Sequence, residues 1–537
     1  MSKGLQFGTA GIRLKMGEGD GFLNLGTVRK ISNGLSLFCN SRVKDKVPLI
    51  CISYDSRNNS REFAECAACA FAANGIKVQT TKTLMPTPYL SFSVRHCKAD
   101  FGVMITASHN PKEYNGYKVY GADGCQLTDE SSAQLSEFIN GTDYKSNTDA
   151  VNPNADNFDR FVSSGMIAEI SCKRIYLDAV EESIFRVMSG KENSGDFKDK
   201  NAVMADSAKG LQITYTPLNG AGHALVPEIL GAMGAEVYEV FEQSAPDGDF
   251  ATCPNPNPEQ TDAFKLALEY AAKNNSDLIL ATDPDADRIG IMIKHGHRFV
   301  KLSGNEVGVL LADYILKNQS FGKIPVVMRT VVTTPLLDKI ADKYGAGVCK
   351  VLTGFKYIGE QISLLENNNT HEYAFGFEES CGYLKGMHAR DKDAVEAAAL
   401  IALMAAEYKK QGKNLADALE DLYKEHGYYR HKTLSFGFEG GADKAVMAAL
   451  RKEGQGVLSE FQNKHNYDIK DYLIPQNNLP SADMLEFLSD SGWRIIIRPS
   501  GTEPLIKVYI AAVGKKEQAK KILKSIEDMC GKILDKK

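Results

Sequence analysis

Short apolar runs alternate with amphipathic stretches along most of the chain. The first cycle reads as a helix over Leu25 to Phe38, a strand over Val47 to Tyr54 and a helix from Arg61 to Ala73, with strands at Ile76 to Thr80 and Phe101 to Ile105. A second cycle gives strands at Leu211 to Tyr215, Ala235 to Val240 and Asp277 to Thr282, with a helix around Ala224 to Met233. A third gives the helix Glu306 to Leu316, strands at Val326 to Thr330, Gly345 to Leu352 and Tyr373 to Phe375, and the helix Ala394 to Lys410. Strands alternating with helices predict βαβ units on mostly parallel sheets. From about Tyr428 the pattern changes to strands at Trp493 to Ile497 and Leu505 to Ala511, closed by an amphipathic helix, Lys515 to Leu534, that covers the last sheet. The polar stretch Asn140 to Asp159 marks a boundary, and a second polar loop, Lys191 to Asn201, interrupts the chain before the second cycle. The expectation is an α/β protein of four units, at residues 1–150, 151–303, 304–427 and 428–537.

Length and charge narrow the function. A chain of 537 residues is too long for a single hydrophobic core. A formal net charge of -5 supplies no basic excess for counterion release, which argues against nucleic acid or an acidic membrane as partner. Any site for an anionic substrate must be a local arrangement of Arg and Lys. The N-terminus has no apolar core of signal-peptide length, and the longest apolar stretch, Ala397 to Ala406, is too short to span a bilayer. A cytoplasmic protein is expected. Eleven cysteines lack a secreted framework's spacing, and Cys66-Ala67-Ala68-Cys69 sits among small residues of a helical run, as a pair of core cysteines would.

The chemistry lies in the loops that end these strands. Thr106-Ala107-Ser108-His109-Asn110-Pro111 follows a buried strand, so Ser108 is a plausible exposed nucleophile with a histidine beside it. Near the N-terminus, Phe7 to Arg13 is a Gly-punctuated loop ending in a cation suited to phosphate. Lys118, on the strand after Asn115-Gly116, is near enough in sequence to return beside Ser108. Asp283-Pro284-Asp285-Ala286-Asp287-Arg288 places three carboxylates at alternate positions beyond a strand's carboxyl end, able to converge on one hard cation. An EF-hand fails there, because Arg288 stands where Gly is required and Lys294 where Glu is. A strand followed by Asp-x-Asp also resembles haloacid-dehalogenase-type phosphatases, but Asp287 stands where that pattern wants Thr or Val. Further on, Thr353-Gly354-Phe355-Lys356 ends a strand, and Gly376 to Gly382 carries Glu378 and Ser380, able to bind sugar hydroxyls. Arg390-Asp391-Lys392-Asp393 precedes a helix. In Arg498-Pro499-Ser500-Gly501-Thr502, a cation, two hydroxyls and freed backbone N–H groups form a phosphate cradle without a helix. No Walker A or GxGxxG sequence occurs, so nucleotide hydrolysis and dinucleotide binding lack their usual support.

Taken together and in this order, these loops resemble the α-D-phosphohexomutase superfamily (phosphoglucomutase/phosphomannomutase), over nearly the whole length. The form of the Asp283, Thr353 and Glu378 loops resembles the phosphoglucomutase branch that includes phosphopentomutases. The resemblance implies three related α/β domains and a smaller fourth around a central cleft. It implies that Ser108 carries a phosphoryl group, that Asp283, Asp285 and Asp287 bind Mg2+ with phosphoserine 108 as a further ligand, and that Glu378 and Ser380 read the sugar at C3 and C4. Arg498, Ser500, Gly501 and Thr502 would grip the distal phosphate, with Lys507 where some members have a second arginine. Lysine keeps that charge without the bidentate fork. Thr9, Arg13, Lys118, Arg288, Thr353, Gly354, Lys356 and Lys392 would join the site, and Lys118 or His109 would take the hydroxyl proton.

The implied activity interconverts glucose 1-phosphate and glucose 6-phosphate through a 1,6-bisphosphate, with mannose and pentose phosphates as alternative substrates. The expected partners are small sugar phosphates, and the expected assembly is a monomer or homodimer. Two other classes compete: a phosphatase with Asp283 as nucleophile, and a sugar-phosphate sensor without turnover.

Overall fold

The computed structural model describes residues 11–141, 155–191, 200–437, 442–453, 467–476, 479–490, 492–500 and 505–534. Four sheets follow one another along the chain. The first holds β1 (Ile12–Lys15), β2 (Leu49–Tyr54), β3 (Lys77–Thr80), β4 (Phe101–Ile105), β5 (Tyr114–Gly121) and β6 (Ile167–Glu169), in the order β1-β5-β4-β2-β3-β6. The second holds β7 (Gln212–Thr216), β8 (Glu236–Glu239), β9 (Leu278–Thr282), β10 (Ile289–His295) and β11 (Arg298–Leu302), in the order β11-β10-β9-β7-β8. The third holds β12 (Ile324–Thr330), β13 (Gly347–Val351), β14 (His371–Glu378) and β15 (Gly382–Leu384), in the order β13-β12-β14-β15. The last, β16 (Tyr428–Gly437), β17 (Tyr467–Asp471), β18 (Leu485–Ser489), β19 (Trp493–Pro499) and β20 (Leu505–Gly514), is antiparallel throughout.

One local device recurs in all four. A buried strand runs to its carboxyl end, turns through a short loop, and is answered by an antiparallel neighbour: β4 by β5, β9 by β10, β14 by β15, β19 by β20. β4 and β9 are buried at every position, as continuous apolar runs in sheets covered on both faces should be. The loops of Ser108, Asp283, Glu378 and Arg498 lie at these turns, whereas Thr353–Lys356 joins β13 to a helix and Arg390–Asp393 leads into another.

The first three units share a core and the last has its own. One apolar cluster runs from Tyr89 of the first unit through Ile213 and Leu311 to Tyr423. At its centre is the helix Ala394–Lys410, buried on all sides from Ala394 to Ala406 and started by Asp393, whose side chain accepts from the Val395 and Glu396 amides at 2.9 and 3.0 Å. The last unit has its own core around Trp493. A small seam joins it to the third, where Val331, Val332 and Leu352 meet Ile496 and Tyr509.

Several expectations shift. The expected boundary at residue 150 falls outside the described residues, and the first sheet continues past it, because β6 pairs in parallel with β3. The strand expected to stop at Phe375 continues to Glu378, which leaves Glu378 on a strand end rather than in a loop; pairing with β15 extends it. The helix Thr87–His96, opened by Pro88 in its first turn, is additional to the expected elements. Cys66 and Cys69 lie buried and unpaired in the helix Ser60–Ala73, their thiols pushed up by burial to about 12 and about 11. Among the described residues no helix is long and apolar enough to cross a membrane.

Candidate active site

Ser108 sits just past β4 with φ at +52°, a strained setting for a residue with a side chain. Its amide donates to Thr106 Oγ1 at 2.8 Å, and its hydroxyl donates to Asp283 Oδ2 at 2.8 Å, with His109 Nδ1 3.1 Å away. The turn can be this tight because Gly116 faces it. A Cβ there would overlap the Thr106 carbonyl oxygen and stand 2.6 Å from that of Ile12. Burial and the nearby Arg288, Arg13 and Lys507 hold His109 well below the usual imidazole range, so it is a neutral base.

The three aspartates converge from the β9–β10 turn. Asp283 Oδ1 accepts from the amides of Asp287 and Arg288 at 3.1 and 3.0 Å, which winds the loop around it. Asp285 Oδ2 accepts from Thr87 Oγ1 and from Lys118 Nζ, both at 2.8 Å. Asp287 Oδ2 is shared by Lys118 at 3.3 Å and Lys392 at 3.1 Å. One oxygen from each carboxylate lies within 4.8 Å of the others. Asp285 Oδ1 and Asp287 Oδ1 are buried with no hydrogen-bond partner. Burial and its two neighbours push Asp283 well up, whereas burial of Asp287 is outweighed by Lys392, Lys118 and Arg288, which hold it down. Clustered all-oxygen donors with two orphaned oxygens suit a hard divalent cation.

A cavity of about 130 Å³ opens beside these groups and takes lining from all four units. The first supplies Arg13, His109 and Lys118, and the second Asp287 and Arg288. Thr353, Gly354, Glu378, Ser380 and Lys392 come from the third, and Arg498, Ser500 and Lys507 from the last. Arg13 donates to Asn110 Oδ1 at 2.9 Å, Arg288 to Glu259 at 2.7 Å, and Arg498 to the Tyr509 hydroxyl at 2.9 Å. Burial lowers the Lys118 ammonium, but Asp285 and Asp287 outweigh it and keep the pKa above its ordinary value. Burial carries the Glu378 carboxyl up to about 7, against the pull of Lys392. The Gly354 amide donates to Glu378 Oε1 at 2.9 Å.

Lys356 departs from expectation: it does not line the cavity, and its ammonium pairs with Asp129 at 2.5 Å. Thr9, Gly501 and Thr502 lie outside the described residues. Other residues went unrecognised. Asp391 holds Lys392 at 2.9 Å and accepts from Tyr120 and Gln126; its place in the Arg390–Asp393 run was the available signal. Glu259, Thr87 and Tyr509 carry no local signal, since their partners are far away in sequence. A larger crevice, about 930 Å³, lies between the third and last units and is lined by none of the expected residues. Its buried charges are already paired, Arg329 with Asp338 at 2.7 Å and Arg494 with Glu486 at 2.9 Å.

Comparison with known proteins points the same way. Models of phosphoglucomutase/phosphomannomutase alpha/beta/alpha domains I, II and III match residues 4–146, 195–296 and 303–426, and that of the C-terminal domain matches 438–529. A phosphoglucomutase of Staphylococcus epidermidis is 35% identical over 522 residues, 94% of this chain and 90% of the relative. One from Staphylococcus aureus is 35% identical over 535 residues, 94% of this chain and 89% of the relative. The fold matches a phosphoglucomutase of Paramecium, pp63/parafusin in its open form, with a TM-score of 0.70 at 19% identity, over 99% of this chain and 96% of that one. A family protein from Burkholderia thailandensis matches at 0.68 and 16% identity, over 98% and 97%.

Proposed function

This chain belongs to the phosphoglucomutase/phosphomannomutase family, and on that footing we propose that it is a phosphoglucomutase, interconverting glucose 1-phosphate and glucose 6-phosphate. The observation that carries the reading is the Ser108 hydroxyl donating to one of three converging aspartates, beside a cavity that Arg498 and Lys507 of the last unit also line. A phosphoryl-carrying serine and a separate cationic grip are what a mutase requires.

In this reading Ser108, as phosphoserine, gives its phosphoryl group to the free hydroxyl of a bound hexose phosphate. The P–Oγ bond breaks as a bond to the sugar oxygen forms, giving glucose 1,6-bisphosphate. The bisphosphate turns end for end and returns its other phosphate to Ser108. Arg498, Ser500 and Lys507 hold whichever phosphate is not reacting, and Glu378 and Ser380 orient the ring through its hydroxyls. Asp283, Asp285 and Asp287 would hold Mg2+, which when bound supplies charge neutralisation at the transferring group. Of the two candidate proton acceptors His109 is favoured, since its base form is already present while Lys118 is held as an ammonium. Catalysis is then mainly positioning and electrostatic stabilisation.

The test is Mg2+-dependent conversion of glucose 1-phosphate primed with glucose 1,6-bisphosphate, with mannose 1-phosphate and ribose 1-phosphate run alongside. Glucose 6-phosphate is expected, and Ser108→Ala should abolish it. Wild-type rates in that variant would refute the phosphoserine mechanism, and release of inorganic phosphate alone would point to an Asp283 phosphatase.

A further inference from the structure

Behind the serine loop lies a cation that the proposed chemistry does not use. Arg57 is fully buried in the loop after β2, its side chain 0% exposed. Its Nη1 donates to the carbonyls of Pro111 and Tyr114, both at 3.0 Å. Its Nη2 donates to the carbonyls of Ser108, at 2.5 Å, and Asn110. One guanidinium therefore ties down four backbone oxygens of the segment that carries Ser108, including that of the strained residue itself. Asp55 orients the fork: it accepts the Arg57 amide at 3.0 Å and faces Nε at 3.4 Å.

The second unit presses on the other side. Arg57 stacks over the ring of Phe250, 5.1 Å to the centroid, and Phe250 is itself fully buried with φ at +46°. A bulky residue in that region is held there by its surroundings. The preceding Gly248 lies so close to Asn58 that a Cβ would stand 2.9 Å from the carbonyl carbon of Arg57. Asp249 accepts from Asn58 at 3.3 Å and from Lys112 at 3.2 Å.

We propose that Arg57, locked by Phe250 of the second unit, is a positioning residue that sets the place of the Ser108 side chain relative to Asp283. The fork matters more than the charge. Lysine in that space keeps the cation but cannot reach four carbonyls, whereas the guanidinium's planar donors hold them in fixed directions. A left-handed serine released from this clamp relaxes, and its oxygen leaves the line of transfer. The inference rests on the mutase reading.

The experiment compares wild type, Arg57→Lys, Arg57→Met and Phe250→Leu as full-length proteins. Phosphoserine content is read by intact-protein mass after incubation with glucose 1,6-bisphosphate. Both Arg57 variants are expected to lose kcat about 100-fold, as a displacement near 1 Å costs. KM for glucose 1-phosphate should stay within about twofold, because the distal grip is untouched. Phosphoserine content at saturation should match wild type, a result that mere loss of folded enzyme would not give. Phe250→Leu should lose kcat about tenfold in the same pattern. Full kcat in Arg57→Lys overturns the clamp, as does a loss confined to KM or one proportional to phosphoserine content. If the Arg57 variants fail to fold, Phe250→Leu decides: unchanged kcat overturns the proposal. Wild-type protein inert toward all three sugar phosphates would instead refute the mutase reading.

Discussion

In the proposed function Glu378 carries both a stability cost and a recognition role on one carboxylate, so replacing it with glutamine should move the two in opposite directions. Burial, with Glu379 adding and Lys392 opposing, carries its carboxyl from 4.5 to about 7. At about 1.4 kcal/mol per unit, ionising Glu378 in the folded chain costs about 3 kcal/mol relative to the unfolded chain. The sign comes from proton counting. Between pH 4.5 and about 7 the folded state binds more protons than the unfolded one, so this group's contribution is fully present below pH 4.5 and is lost as pH rises through about 7. Glu378→Gln removes the titration while its amide oxygen still accepts the Gly354 N–H, a bond of 2.9 Å in the wild type. The variant should match wild type in urea midpoint near pH 4.5 and exceed it near pH 8, by up to about 3 kcal/mol. Activity should move the other way. A neutral acceptor replaces a charged one at the sugar, a difference of about 1–1.5 kcal/mol, so kcat/KM should fall about 5- to 12-fold. Wild-type kcat/KM should rise through about pH 7, with that step missing in the variant. A stability difference that does not change with pH, or a variant weaker than wild type near pH 8, would refute the reasoning.

The charge arrangement gives two more expected outcomes. Asp287→Asn removes the anion shared by Lys118 and Lys392, and because Asp285 still pairs the first and Asp391 the second, the loss of unfolding free energy should be about 1.5–3 kcal/mol by urea titration. The same variant should lose calorimetric binding of Mg2+, and wild-type affinity would count against the trio as the metal site. Tyr509→Phe deletes the 2.9 Å bond that aims Arg498, a loss of about 1 kcal/mol, so steady-state kinetics should show KM raised about fivefold with kcat little changed. A fall in kcat alone would place Arg498 in the chemical step instead.

Much of this site was legible because its signals are local. Ser108, Asp283 and Arg498 each follow an apolar strand and precede Pro, Gly or alternating acid, and those patterns survive whatever the strand packs against. Lys356 shows where such reasoning stops. Its neighbours Thr353 and Gly354 line the cavity, yet its own ammonium turns to Asp129, 227 residues away in sequence. The end of β14 was misplaced for a related reason. Nothing in Gly376 to Glu378 says that β15 will pair with it and keep the strand extended. Arg57 and Phe250 were invisible, since one looks like a solvated loop cation and the other like an ordinary core aromatic.

By itself the sequence determined the alternation of strands and helices, the loops at the strand ends and the residue types those loops carry, all of which depend on neighbours a few positions apart. Only the tertiary structure decided which charges face one another. It paired Lys118 with Asp285 and Asp287, left two aspartate oxygens without donors, raised Glu378 to about 7 and pressed Phe250 onto Arg57. Desolvation and Coulomb energy depend on burial and distance through space, and the chain's own order encodes neither directly.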